Sequence, residues 1–545
     1  MKFTKYALLA AGCVMMASCS SDEPALDGQN PADTPVEGGS TGFAQFDIKL
    51  PQTSAGTRAV SYEEGTAQEY AVTNGKIIVF KKAATEAAAT FVCTADLTGM
   101  NWSAATPGEI TSTSTTVAQL SNINLNDASQ YAAVIVLNYN DQFKFPAANQ
   151  TFGEWSKGAQ TGSMILAQDG KNYLTMTNAA KYVSATAEPV VLVDIDKTKI
   201  AQSEATISGS AGTIHVQRAT AKVTVKTTSE YTPTGAAYTT DKVSINAWAL
   251  DITNKSSFPV QVTEGLKATY AEIWNTERFF GGTKFARAFW SKDPNYDENI
   301  TTQAAIEANF NVINAAALTG TPAQVYCLEN TFDVDHMKQG QTTRVVLKGT
   351  YKPANIPAGE NFYKIGSSTA LWSTATLKAE VEAKAKTALN SANVTADLGA
   401  VATTKGYHAL KEITIKNGAD AISDADYAKI ATALGLSNAT DLAIATYDKG
   451  TVYYIARIKH FGDADCPWHI GDPTYGTPGD NAKYLGRYGM VRNNWYELDV
   501  KSISNPGSPD VPVIKPDTPD DENEYFIQVE VNMLSWAKRV QNVDL

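Results

Sequence analysis

A chain of 545 residues with a formal net charge of −12 is too long for one ordinary hydrophobic core, and its sign opposes any general role at nucleic acid, whose phosphates would repel it. Hydrophobic residues at 43% against charged residues at 19% describe a folded chain rather than a disordered one. The supply of Thr, Val, Tyr and Asn over Leu, Arg and Glu favours strands, so a mostly β protein of two or three domains is expected.

The first residues, "MKFTKYALLAAGCVMMASCSSDEP", place Lys2 and Lys5 ahead of an apolar run from Tyr6 to Ala17. That run is too short to span a bilayer, so residues 1–18 read as an export signal. Cys13 leaves a very short apolar region before it, whereas Cys19 follows "MAS" and precedes the polar "SSDEP", so Cys19 is the expected lipidated residue. The stretch resembles a bacterial lipobox, in which the new N-terminal cysteine carries acyl chains. Each buried methylene contributes about 0.8 kcal/mol, so several chains hold a protein firmly to a membrane. Cys93, Cys327 and Cys466 are an odd and widely spaced set, expected to be small apolar core residues rather than a disulfide framework.

Residues 19–58 are expected to form a lipidated tether followed by a strand. From Ser20 to Thr41 there is little to bury, and then "GFAQFDIKLP" alternates Phe46, Ile48 and Leu50 with polar residues, the period of a strand with one buried face. Arg58 follows shortly, the only arginine in the first 217 residues, and its setting among small residues suggests a cut between Arg58 and Ala59. Strand candidates separated by Asn, Gly, Asp and Ser turns then suggest β-sandwiches. The linker-like "SGSAGT" places a boundary near Gly212, giving domains over residues 59–212 and 213–504. Two helical pieces are expected as insertions in the second domain: residues 376–392, and "SDADYAKIATALGLS", with a capping box at Ser423 and Asp426 and a stop at Gly435. Residues 505–524 are rich in proline and acid and read as an extended, self-repelling spacer. The last segment, 525–545, begins as a strand in which Tyr525, Ile527, Val529, Val531 and Met533 alternate with other residues.

Signals for chemistry are few. "HFGDADCPWH" crowds His460, Asp463, Asp465, Cys466 and His469, but only Cys466 and His469 have a familiar ligand spacing and no second pair exists, so it is read as a Pro-Trp loop without metal. No GxSxG elbow, P-loop or HExxH motif occurs, and no cofactor is expected. Trp248, Trp274, Trp290, Trp372, Trp468, Trp495 and Trp536 suit either sugar platforms or cores. A surface lipoprotein that binds glycans without polymerising is therefore the rival reading, with an enzyme such as a glycosidase behind it.

The lipobox, "GTRAV", "ALDITNKSSFPV", "IARIKHFGD", "YGMVRNNWYELDVKSISNPGSP" and "VEVNMLSWAKRVQNVDL" together resemble the fimbrillins of Bacteroidota, nearest to the minor-fimbrium shaft subunits of type V pili. The resemblance implies two transthyretin-like β-sandwich domains, export as an outer-membrane lipoprotein, and removal of a pro-segment by an arginine-specific protease at the position of Arg58 and Ala59. It further implies strand exchange into a head-to-tail polymer of identical or related subunits, with anchor and tip subunits as further partners. The residues give this a physical form. The pro-segment strand (Phe46, Ile48, Leu50) and the C-terminal strand (Tyr525, Ile527, Val529, Val531, Met533) each offer one apolar face to the same kind of groove.

Overall fold

The computed structural model describes residues 40–49, 66–100, 113–181, 183–184, 186–274, 279, 290–461, 466, 482–520 and 527–535. Cys19, Leu50, Arg58, Ala59 and Tyr525 lie outside these residues, as do Asp463, Asp465, His469, Trp468 and Trp536. The chain is mostly β, as its composition predicts.

The first body begins with the alternating segment before Arg58, which is β1 (Ser40–Lys49). After the short helix α1 (Ala67–Tyr70) come β2 (Gly75–Lys81), β3 (Thr90–Asp96), β4 (Thr113–Ile123) and β5 (Tyr131–Leu137). The short strands β6 (Met176–Asn178) and β7 (Val193–Ile195) precede β8 (Ser210–Arg218). One sheet joins them in the order β3-β2-β5-β6-β8-β1-β4, with β7 beside β5. The row curls until its ends meet, because Thr98 and Val117 exchange backbone hydrogen bonds of 2.9 and 3.1 Å. The result is a near-barrel whose interior is filled by inward residues of period two, among them Ala44, Phe46, Ile48, Ile77, Val79, Leu120, Ile135 and Ile214.

Residues 213–218, expected in the second domain, belong to β8 and therefore to this first sheet. The chain passes to the second body at Ala219, followed by β9 (Thr220–Lys226). "SGSAGT" is small for packing: a side chain at Gly212 would sit 3.2 Å from the Asp194 carbonyl oxygen, so the small residues let β8 run close beside β7.

The second body is a sandwich. Its strands are β9, β10 (Lys242–Asp251), β11 (Val325–Leu328), β12 (Arg344–Lys352) and, beyond an insertion, strands over Thr451–Arg457, Asn494–Ile503 and Ile527–Ser535. The insertion contributes β13 (Phe362–Ile365), helix α2 (Thr374–Leu389), β14 (Val394–Asp397), β15 (Gly406–Ala409), β16 (Thr414–Asn417), β17 (Asp420–Ala421), helix α3 (Asp424–Ala433) and β18 (Leu442–Tyr447). The later three strands are then β19, β20 and β21. Sheet β11-β9-β20-β21 packs on sheet β10-β12-β19, with Val223, Tyr496 and Leu498 meeting Trp248, Leu347 and Tyr454.

The two helices expected as decoration are part of a small α/β unit with its own core. Leu377 and Val381 of α2 pack with Ile430 of α3 and with Ile415 and Ile444 of the adjoining strands. The capping box forms as expected: Asp426 N donates to Ser423 Oγ at 3.2 Å, and Ser423 N to Asp426 Oδ2 at 3.4 Å.

The expected self-repelling spacer is, over residues 505–520, a strap held against the second body. Tyr453 and Ser508 exchange backbone bonds of 2.8 Å, the Arg344 guanidinium donates to the Pro512 carbonyl at 2.8 Å, and Gln339 N donates to the Thr518 carbonyl at 2.9 Å. Asp520 is fully buried with its carboxylate 2.6 Å from Arg457 Nε. Prolines lack N–H groups but their neighbours' carbonyls still accept, and these distant arginines and Lys338 offset the acid charge. At Gly507 an added Cβ would lie 2.3 Å from the Tyr453 carbonyl oxygen, so only glycine permits this approach.

Candidate functional site

The site assembled from the predicted residues is the seat of β1. β1 runs antiparallel to β4, with Ala44 opposite Ala118, Phe46 opposite Thr116 and Ile48 opposite Ser114, and parallel to β8, with Phe46 opposite Gly212 and Ile48 opposite Ile214. Ala44, Phe46 and Ile48 have no exposed surface, and burial of the two larger side chains stabilises the body by roughly 1.5–3 kcal/mol each. On the outer face Thr115 donates its hydroxyl to Asp47 Oδ1 at 3.0 Å. β1 is thus an interior strand of the near-barrel, although the chain joins it only through the segment that carries Arg58.

Without β1, two edges open at once. β8 keeps its antiparallel pairing to β6, while β4 keeps, among the described residues, only the Thr98 bridge. The exposed groove is floored by apolar side chains and walled by unpaired N–H and C=O groups, the combination that recruits another strand.

The rim near Gly42 is narrow. Phe43 N donates to the Ala201 carbonyl and Ala201 N to the Phe43 carbonyl, both at 2.8 Å, and a Cβ on Gly42 would lie 2.4 Å from Ile200 Cγ2.

Just past the Arg58 segment, α1 is fixed at the junction of the two bodies by a polar cluster that sequence reading did not find. Glu69 accepts from Lys222 Nζ at 2.7 Å, from the Tyr326 hydroxyl at 2.5 Å and from Thr66 N at 2.8 Å, and its carbonyl accepts from Arg218 Nε at 2.9 Å. Glu69 and Lys222 are 1% and 2% exposed, and the ammonium lies 3.7 Å from the centroid of the Trp495 ring. Burial pushes the Glu69 carboxyl up, but Lys222, Tyr326 and Thr66 together outweigh it and hold its pKa below the usual glutamate value. Thr66 and Glu69 form a local capping box, but Arg218 and Tyr326 lie 149 and 257 positions from Glu69, and no local pattern links these to it.

The C-terminal strand is placed by its backbone. β21 pairs antiparallel with β20, Val531 opposite Leu498 and Val529 opposite Val500, at the edge of the second body's sheet. It and β1 therefore occupy different sheets within one chain. The segment leading to β20, which carries the string "RNNWYELDVKSISNPG", is itself locked from below. Arg492 Nε lies 2.9 Å from Glu329 Oε2 with both side chains fully buried, and its guanidinium reaches Ser257 Oγ at 3.2 Å and the Phe258 carbonyl at 3.1 Å.

Several of the other candidates that fall among the described residues are packed in the interior. His460 is buried with Nδ1 2.7 Å from the Tyr496 hydroxyl, and the Cys466 thiol donates to the Leu485 carbonyl at 3.2 Å. Among the described residues no cluster of three ligating side chains occurs. Cys93, Cys327 and Cys466 are buried. Trp248, Trp274 and Trp290 are among the largest fully buried side chains, which removes them as exposed sugar platforms. Among the described residues no helix is long and apolar enough to cross a membrane.

Residues 445–542 match the family model for the C-terminal region of fimbrillin, the major fimbrial subunit protein type IV. This span takes in β19, β20, the strap and β21. Among solved structures, a candidate cell-adhesion protein of Parabacteroides distasonis is similar at 12% identity and a TM-score of 0.35, covering 91% of this chain and 99% of that one. A fimbrial assembly protein of the same organism is similar at 12% identity and a TM-score of 0.27, covering 60% of this chain and 93% of that one. No curated protein matches the chain.

Proposed function

From the premise that this chain is fimbrillin-like, we propose that it is a structural subunit of a cell-surface fimbrium, matured after Arg58 and polymerised by donor-strand exchange, and not an enzyme. The single observation that carries the proposal is β1. A strand fully integrated in the first body's barrel lies upstream of the lone arginine of the N-terminal region. In this account Cys19 anchors the precursor to the outer membrane through lipid, an arginine-specific protease cuts between Arg58 and Ala59, and the segment bearing Phe46, Ile48 and Leu50 departs. The Glu69 cluster holds α1 in place, so the cut frees the strand before it and leaves the body after it. The groove then receives the C-terminal strand of another subunit, with Ile527, Val529, Val531 and Met533 as donor side chains and Tyr525 at its start. In this proposal the two β bodies take the place of the two transthyretin-like domains that the resemblance implies, with the α/β unit as an addition to the second. Such a connection is head-to-tail and builds an open filament, which anchor and tip subunits would terminate.

Replacing Arg58 with Ala tests this. The variant is expected to accumulate as lipid-anchored monomer with no fibres in electron micrographs of cells, and fibres of ordinary length would refute the proposal.

A further inference from the structure

We propose that the donor strand enters the groove running opposite to β1, with Ala537 at the Gly42 position, Ser535 at the Ala44 position, Met533 at the Phe46 position and Val531 at the Ile48 position. This rests on the donor-strand reading above and adds to it the orientation and register of the incoming second copy.

The groove is tapered. The four inward positions of β1 carry Gly42, Ala44, Phe46 and Ile48, all buried. At the narrow end Ile200 fills the space where a side chain on residue 42 would go, its Cγ2 2.4 Å from the ideal Cβ. Ala44 lies opposite Ala118 and has no exposed surface, so nothing larger than a small side chain fits there without displacement. At the wide end the spaces hold a phenylalanine and an isoleucine. An occupant must therefore offer two small residues and then two large apolar ones, at period two.

The C-terminal segment offers this sequence in one direction only. Its apolar face reads Tyr525, Ile527, Val529, Val531, Met533, Ser535 and Ala537, and beyond it come Arg539 and Gln541. Laid in the same direction as β1, every register on this face fails in one of two ways. Either Tyr, Ile, Val, Met or Arg meets the space of Gly42 or Ala44, or Arg539 enters the space of Phe46. Laid in the opposite direction, Ala537 and Ser535 meet the narrow end while Met533 and Val531 meet the wide one. Ile200, half-buried at the rim, has to turn to admit one methyl group from Ala537 but could not clear a branched chain.

The outer face agrees. The same register puts Trp536 where Phe43 was and Asn532 where Asp47 accepts the Thr115 hydroxyl, a bond that an amide oxygen also accepts. The reversed strand is antiparallel to β8 and parallel to β4, so both edges gain a ladder partner.

Cysteine pairing distinguishes the orientations. Cys93, Cys327 and Cys466 are buried and leave a quiet background. In processed, polymerising subunits the pair Ser535→Cys with Ala118→Cys is expected to give a covalent ladder on a non-reducing gel after mild oxidation. The pair Val529→Cys with Ala118→Cys, which meets at the Ala44 position if the strand runs the other way, is expected to give none. A ladder from the Val529 pair alone overturns the orientation while leaving the donor in the groove. Fibres that form with neither pair cross-linked overturn the proposed orientation and register. A synthetic peptide of residues 525–545 with cysteine at 535 or at 529, added to processed Ala118→Cys monomer, provides the same comparison if a double variant fails to assemble.

Discussion

Replacing Phe46 with Ala is expected to lower the stability of the unprocessed chain by about 3–5 kcal/mol and to leave the processed chain unchanged. Phe46 has no exposed surface and sits between Thr116 and Gly212 in the middle of the barrel, where neighbours on two strands limit collapse around a cavity. The large loss is ordinary for a core aromatic. The absence of any loss after processing is the diagnostic part, because it requires that the segment carrying Phe46 leave. Urea unfolding of both forms, with and without the substitution, measures it. An equal loss in both forms would mean that the strand stays in its groove after the cut.

Replacing Lys222 with Ala is expected to destabilise the junction by a similar about 3–5 kcal/mol, since it takes from the buried Glu69 carboxylate the ammonium paired with it at 2.7 Å. It also removes the ammonium stacked on Trp495. The paired variant Glu69→Gln with Lys222→Met, which removes both charges, is expected to recover most of the loss, and a double-mutant cycle by urea unfolding checks this. The sign of the pH dependence follows from the lowered pKa of Glu69. Its folded value lies below the unfolded one of about 4.3, so the contribution is complete at neutral pH and is lost as pH falls through the folded value. The Lys222→Ala variant, which lacks the ammonium that does most to lower this carboxyl, is expected to lose less stability on acidification. A denaturation midpoint for this variant that matches the parent at neutral pH would show that the cluster contributes little.

How much of this was legible in the sequence depended on distance along the chain. β1 was readable because its period-two pattern is local, and α3 because Ser423, Asp426 and Gly435 fall within one helix and its ends. The strand at Ser210–Arg218 was not legible in "SGSAGT" because small residues look alike whether they serve a linker or a close strand approach, and only the nearness of Asp194 separates the two. The strap was read as self-repelling because its acids are contiguous, whereas Arg344 and Arg457 arrive from 168 and 63 positions away. Of the Glu69 cluster only the Thr66–Glu69 capping box is local; Lys222, Arg218 and Tyr326 reach it from distant parts of the chain. For the proposed function the sequence offers a period-two strand, an arginine after it and a second strand that also has one apolar face. The structure adds that the first of these closes a barrel.

The pro-segment strand and the C-terminal strand are proposed to compete for one groove. Amide hydrogen exchange of β4 and β8 measures this competition directly, in the unprocessed chain, in the chain cut after Arg58, and in the cut chain mixed with a peptide of residues 525–545. Exchange is expected to be slow in the first, fast in the second and slowed again in the third. Protection in β4 and β8 that persists after the cut, or that the peptide does not restore, would contradict it.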